Sequence, residues 1–156
     1  MNIQIWLYLH LFKRICFFMS RKIRILLIED DIDDVDLLQE ALESRNVPFV
    51  MNVIKDGSAA VNFCEESSEF LLDIIVMDFN LPRVHGREVI TKIRCNGRFA
   101  NVPILVLSTS SAIEDIAYAN KVGADKYLVK PATIEAIQET VDTIVDMVKN
   151  RSLSAL

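Results

Sequence analysis

Asp78 closes an apolar run, Ile74-Ile75-Val76-Met77, and is followed at once by Phe79-Asn80-Leu81-Pro82. A carboxylate at the end of a buried strand, with a turn signal behind it, is held rigidly and still reaches solvent. Such a group can serve as a metal ligand or a nucleophile. Three other groups repeat the arrangement: Glu29-Asp30-Asp31 after Ile25-Leu26-Leu27-Ile28, Ser108 after Ile104-Leu105-Val106-Leu107, and Lys130 after Tyr127-Leu128-Val129. In open α/β sheets, ligands bind beyond the carboxyl ends of the strands, and all of these residues fall at such ends. Two like charges ~4 Å apart repel by roughly 4 kcal/mol at an effective dielectric near 20. Protonation of one group or a bound cation relieves that repulsion. A hard ion such as Mg²⁺ suits two carboxylates, waters and a backbone carbonyl, and Asn80, two residues past Asp78, is placed to give the carbonyl. Lys130 then adds a point charge for an anionic ligand, and Ser108 a hydroxyl. Such a set performs phosphoryl transfer, with Asp78 attacking phosphorus to become an acyl phosphate.

The elements that must position these groups alternate along the chain. Strands are expected at Ile23–Ile28, Phe49–Ile54, Asp73–Met77, Ile104–Leu107 and Lys126–Val129. Their near-continuous apolar runs suit strands buried on both faces. The second is less uniformly apolar and belongs nearer an edge. Between them lie helical patterns: Val35, Leu38, Ala41 and Leu42 behind an Asp33 or Asp34 cap; Ala59, Ala60 and Phe63 after Asp56-Gly57-Ser58; Val89, Ile90 and Ile93 after Gly86; Ile113, Ile116 and Ala117 before a Gly123 C-cap. The last helix places Ile134, Ile137, Val141, Ile144 and Val148 three or four residues apart. Strands alternating with helices imply an α/β fold, a doubly wound parallel sheet with helices on both faces.

The chain has 156 residues, enough for one domain with a full core. Its net charge is −5, and −7 without residues 1–18, which carry Lys13 and Arg14 and no acid. An acidic domain is a poor partner for nucleic acid or an anionic membrane by charge alone. Cys16, Cys64 and Cys95 are isolated, which suggests reduced, inert thiols in a cytoplasmic protein. Residues 1–18 read as an apolar extension outside the fold. The run Ile3 to Phe12 is too short to span a bilayer, which takes ~20 apolar residues, and its charge follows the apolar stretch, unlike a signal peptide. Translation starting naturally at Met19 is the preferred expectation, and a short membrane-surface anchor the alternative. Residues 19–150 read as one domain and 151–156 as a short tail, leaving no room for an attached output module.

Taken in order, Ile-Glu-Asp-Asp (28–31), Met-Asp-Phe-Asn-Leu-Pro (77–82), Leu-Ser-Thr-Ser (107–110) and Lys-Tyr-Leu-Val-Lys-Pro (126–131) resemble the motifs of response-regulator receiver domains of bacterial two-component signalling. The resemblance covers residues 21–150. It implies a flavodoxin-like strand order 2-1-3-4-5, Asp78 as phospho-acceptor, and Mg²⁺ held by Asp30, Asp78 and the Asn80 carbonyl, with Glu29 acting through water. It further implies phosphoryl contacts from Lys130 and Ser108, a Ser108–Tyr127 switch, and a cis Lys130–Pro131 peptide. In that family Asn80 and Ser110 occupy positions that tune the lifetime of the acyl phosphate. Glu-Asp-Asp with an acidic helix start, and Asn-Leu-Pro-Arg followed by Gly-Arg-Glu-Val (86–89), look like the small stand-alone regulators of phytochrome-type histidine kinases. His85 stands where that subgroup often has Asp. The implied partners are a histidine kinase and a downstream protein target, with a homodimer through the last helices as one form of output.

Each residue also has a plainer role open to it. Asp33, Asp34 and Asp36 read as a helix N-cap and helix-dipole charges, Asp31 as equally a site residue or not, and His85 as a solvated loop residue. Ser108 alone would bond nearby backbone. Ile113, Tyr118 and Val122 include candidates for a partner surface. Two other functions compete with a non-enzymatic switch. A metal-dependent aspartyl phosphatase commonly needs a second carboxylate two residues past its nucleophile as general acid, and Asn80 stands there. A receiver-like binding module without phosphorylation leaves the acid and lysine set without a purpose.

Overall fold

The computed structural model describes residues 3–5, 21–66 and 71–154. The proposed start at Met19, Cys16 and most of the apolar extension lie outside the described residues. Five parallel strands form one sheet in the order β2-β1-β3-β4-β5, where β1 is Ile23–Ile28, β2 Phe49–Ile54, β3 Ile74–Asp78, β4 Ile104–Ser108 and β5 Lys126–Val129. The helices are α1 (Ile32–Ser44), α2 (Gly57–Glu66), α3 (Gly86–Cys95), α4 (Ile113–Val122) and α5 (Ile134–Ser154). No described helix is long and apolar enough to cross a membrane.

The strands are buried because side chains alternate across a pleated sheet, and here both faces are covered. Leu26, Ile28, Ile75, Met77, Ile104 and Val106 pack with Ala60, Val89, Ile90, Ile93 and Ala119 of α2, α3 and α4. Ile25, Leu27, Ile74, Val76, Leu105 and Leu107 pack with Val35, Leu38 and Leu42 of α1 and Ile137, Val141, Ile144 and Val148 of α5. Every residue of β3 and β4 is buried, whereas β2 and β5 at the sheet edges are half-exposed. Cys64 is a buried, free thiol that burial pushes up to about 11, so it is inert near neutrality; Cys95 is free and exposed.

Four elements differ from expectation at a boundary. Both β3 and β4 run one residue further, because Asp78 pairs with Leu107 and Ser108 with Val129 in the parallel ladder. Asp78 and Ser108 are therefore the last residues of their strands. The first helix is capped by Asp31, whose extended backbone lets its carboxylate accept from Asp33 N–H at 2.9 Å, and not by Asp33 or Asp34. Residues 151–154 are not a tail: α5 continues to Ser154, and Arg151 donates to the carbonyl of Leu72 at 2.8 Å.

At the foot of the sheet Asp73 is buried and accepts from the Arg24 backbone, the Arg24 guanidinium and Arg21 at 2.6–3.0 Å. Burial pushes its carboxyl up, but the Arg24 bonds and the Arg21 charge outweigh this and hold it below the usual carboxylate range. Such a group stabilises the fold fully above its unfolded pKa and loses that contribution as the pH falls through the lowered value. Asp73→Asn is expected to cost roughly 2 kcal/mol at pH 7, read by urea denaturation. The gap from wild type should narrow below about pH 4. A gap that widens on acidification contradicts the assignment.

Candidate functional site

The parallel register brings the carboxyl ends of β1, β3, β4 and β5 to one rim. Asp78 ends β3 with its side chain 9% exposed. Its Oδ1 accepts from Asn80 N–H at 2.8 Å, and its Oδ2 lies 2.8 Å from Lys130 Nζ. Lys130 leaves β5 with its N–H donating to the Ser108 carbonyl at 2.8 Å, which fixes where the side chain starts. Its ammonium also reaches Glu29 Oε2 at 2.9 Å and Asp34 Oδ2 at 2.6 Å. Glu29 is buried just past β1, where its N–H donates to the Ile54 carbonyl and its Oε1 accepts from Asp31 N–H. Asp30 is exposed beside it. Glu29, Asp30 and Asp78 each present an oxygen within 4.8 Å of the others. Ser108 is fully buried, its Oγ accepting from Ser110 N–H at 3.2 Å with Asn80 Nδ2 at 3.5 Å.

Gly86 holds the loop after Asp78 in place. Its N–H donates to the Phe79 carbonyl at 3.1 Å, and a Cβ there would sit 2.7 Å from that oxygen. Only glycine lets α3 start so close to the loop. Tyr127 is half-buried, with its hydroxyl donating to the Ser110 carbonyl at 2.9 Å and its ring edge-on to Phe79 at 5.9 Å.

The expected cis Lys130–Pro131 peptide is not found; the described residues contain no cis bond. The trans form is intrinsically favoured by ≈ 0.5–1 kcal/mol. It already delivers the lysine to Glu29, Asp34 and Asp78, so aiming the amine requires no isomerisation. Asp34, expected to be a helix cap or dipole charge, lies in the site, its carboxylate 2.6 Å from Lys130 Nζ. It lies four positions before Leu38 and eight before Leu42, on the core-facing stripe of α1, and that periodicity is the signal for it.

Burial alone would lower the Lys130 pKa, but the hydrogen bonds it donates to Asp34, Asp78 and Glu29 hold its ammonium well above the usual lysine range. It is a permanent cation. Burial pushes the Glu29 carboxyl up, opposed by Lys130 and the Asp31 N–H and reinforced by Asp78. One ammonium thus pairs with three carboxylates, with Asp30 beside them, and the excess negative charge with a hard-oxygen donor set fits a divalent cation.

A buried acceptor carboxylate, an acidic pair beside it, a lysine on β5 and a hydroxyl on β4 stand together on this five-stranded scaffold. Residues 25–142 match the response regulator receiver domain. This chain belongs to that family. The receiver is 31% identical over 124 residues to response regulator Rcp1 of Synechocystis, covering 77% of this chain and 84% of that protein. The Mn²⁺-bound structure of Rcp1 aligns with a TM-score of 0.69 at 30% identity, over 78% of this chain and 90% of that one. The phosphorylated cyanobacterial phytochrome response regulator RcpA aligns with a TM-score of 0.72 at 31% identity, over 80% and 91%. The receiver domain of the sensor histidine kinase PA1611 from Pseudomonas aeruginosa, with magnesium coordinated in its active-site cleft, aligns with a TM-score of 0.65 at 25% identity, over 81% and 99%.

His85 closes the loop after Asp78 by capping the next helix. The residue is exposed, as expected, yet it is the N-cap of α3, its Nδ1 accepting from Arg87 N–H at 3.2 Å. An imidazole can accept only when neutral, and it adds no favourable charge at a helix N-terminus. His85→Asp keeps the acceptor and adds that charge, so it is expected to stabilise the receiver by about 0.5–1 kcal/mol. Thermal melting reads the gain, and a lowered midpoint contradicts the cap.

Proposed function

We propose that this receiver takes a phosphoryl group from a histidine kinase onto Asp78, with Mg²⁺, and thereby switches a partner-binding surface. The observation that carries this is the Asp78 carboxylate, fixed by Asn80 N–H and Lys130 within one pocket that also contains Glu29 and Asp30. Mg²⁺ held by Asp30, Asp78 and the Asn80 carbonyl, with Glu29 through water, would neutralise charge on the phosphoryl oxygens. An Asp78 carboxylate oxygen attacks phosphorus, a P–O bond forms, and the P–N bond to the donor imidazole breaks. The electron pair returns to the imidazole nitrogen. Lys130 follows the charge from the carboxylate to a phosphoryl oxygen, and Ser108 donates its hydroxyl to another.

The likeness to Rcp1 and RcpA supports a phytochrome-type kinase as donor. Ile113, 80% exposed, and Tyr118 on α4 are available to a downstream protein, whereas Val122 packs on the core. The proposed role is a cytoplasmic signalling switch, not a turnover enzyme. Phosphotransfer profiling against purified histidine kinases tests it: rapid, Mg²⁺-dependent labelling by one donor is expected. Failure to label with every kinase and with acetyl phosphate removes the proposal.

A further inference from the structure

A connected set of side chains lies outside the acidic pocket. Arg87, in the first turn of α3, places Nη2 2.7 Å from Asp115 Oδ1 on α4. The other oxygen, Asp115 Oδ2, accepts from the Ser110 hydroxyl at 2.7 Å. Ser110 is fixed on its remaining sides as well. Its N–H donates to Ser108 Oγ, its carbonyl accepts from the Tyr127 hydroxyl, and its Oγ accepts from Ala112 N–H at 3.2 Å. The Arg87 guanidinium lies 4.5 Å from the centre of the Tyr118 ring and 5.6 Å from that of Phe79, the residue directly after Asp78. Arg87 Nε is buried and makes no hydrogen bond. An arginine placed for its own bonding would satisfy that donor. Its position here is dictated by Asp115 and the two rings.

We propose that Arg87 and Asp115 are positioning residues that act through Ser110 to hold the Ser108 hydroxyl ready to donate to a phosphoryl group on Asp78. The inference rests on the function proposed above. Ser108 Oγ accepts from Ser110 N–H on one side and meets Asn80 Nδ2 on another, so the direction left to its own proton is fixed by those neighbours. The loop that carries Ser110 is anchored to α4 by Asp115, and Asp115 is anchored to α3 by Arg87. A donor aimed before the anion arrives needs no reorganisation when it does. Loss of the Arg87–Asp115 pair frees the loop and the hydroxyl with it, while the carboxylates that would hold Mg²⁺ stay where they are.

Calorimetric titration of the full chain with beryllium trifluoride at saturating Mg²⁺, and with Mg²⁺ alone, tests this. Arg87→Ala and Asp115→Asn are each expected to weaken trifluoride binding about five- to tenfold and to leave Mg²⁺ affinity unchanged. In a Ser108→Ala background, Arg87→Ala should cause no further loss, because the group it positions is gone. Unchanged trifluoride affinity, equal weakening of both ligands, or full additivity on Ser108→Ala overturns the inference. If Arg87→Ala does not melt cooperatively, Asp115→Asn, which keeps the size and an acceptor for Ser110, decides alone. A wild-type protein that binds no trifluoride removes the proposed function itself, which is distinct from a binding wild type with unaffected variants.

Discussion

Asp78→Asn is expected to abolish Mg²⁺-dependent labelling by acetyl phosphate while the protein stays folded. The proposed nucleophile is a carboxylate oxygen, and an amide oxygen in its place cannot form a stable acyl phosphate. The substitution is mild for the structure. An Asn side chain keeps an acceptor for the Asn80 N–H that now bonds Oδ1 at 2.8 Å, and Lys130 retains Glu29 and Asp34. It also removes one of three carboxylates whose oxygens lie within 4.8 Å of one another. Loss of that repulsion offsets the lost ion pair, so the stability should lie within about 1 kcal/mol of wild type. Mg²⁺ affinity should fall as well, because a ligand is gone. The measurement is radiolabel incorporation beside a melting curve. An acyl phosphate is lost on treatment with hydroxylamine, whereas a phosphoserine survives it. Retained, hydroxylamine-resistant label would point to Ser108 or another hydroxyl and remove Asp78 from the centre of the chemistry.

Alternation and apolar runs made most of the scaffold readable in advance, because each element obeys a local rule. Strand β3 is apolar up to Asp78 because both faces are covered, and Gly123 ends α4 because its φ of 109° is open to glycine. The edge position of β2 shows in the polar and exposed residues that interrupt it. The site was readable for a related reason: in a parallel sheet, the residue after an apolar run falls on the functional rim. What stayed hidden depends on distant partners. Asp34 sits among several acids near a helix start, where the helix dipole already accounts for any of them. Only the fold brings Lys130 to it across 96 positions. The path of Arg151 to the Leu72 carbonyl is likewise non-local, so the end of α5 could not be told from a tail. The cis peptide came from analogy to a family and not from this chain's own residues, and the trans geometry shows that the lysine can be aimed without it.

Lys130→Met should destabilise the Mg²⁺-free receiver at neutral pH and make its stability depend on pH with the opposite sign from an ordinary paired carboxylate. In the wild type the ammonium compensates Glu29, Asp34 and Asp78 at 2.6–2.9 Å. Its raised pKa means this contribution is complete below the unfolded lysine value of about 10.4 and is lost only as the pH climbs above it. The cluster should therefore be insensitive to Lys130 titration from pH 6 to 9. Methionine fills the same space without charge, so cavity formation is minimised and the electrostatic effect dominates. Stranding buried carboxylates costs 3–5 kcal/mol when none can reach water. Asp34 is 38% exposed and can turn outward, so roughly 2–3 kcal/mol is expected. Burial already pushes the Glu29 carboxyl up even with the lysine present. Without it, Glu29 is driven further toward protonation, and a fold holding a carboxyl raised above its unfolded pKa is stabilised by acid. The variant should gain stability as the pH falls from 7 toward 5, and Mg²⁺ should restore part of the loss at pH 7 by mass action. Acetyl phosphate labelling should be slowed but not abolished, because Asp78 remains. Denaturant titrations across this range, with and without Mg²⁺, decide the matter. A variant as stable as wild type at pH 7, or one weakened further by acid, would show that the amine does not compensate these carboxylates.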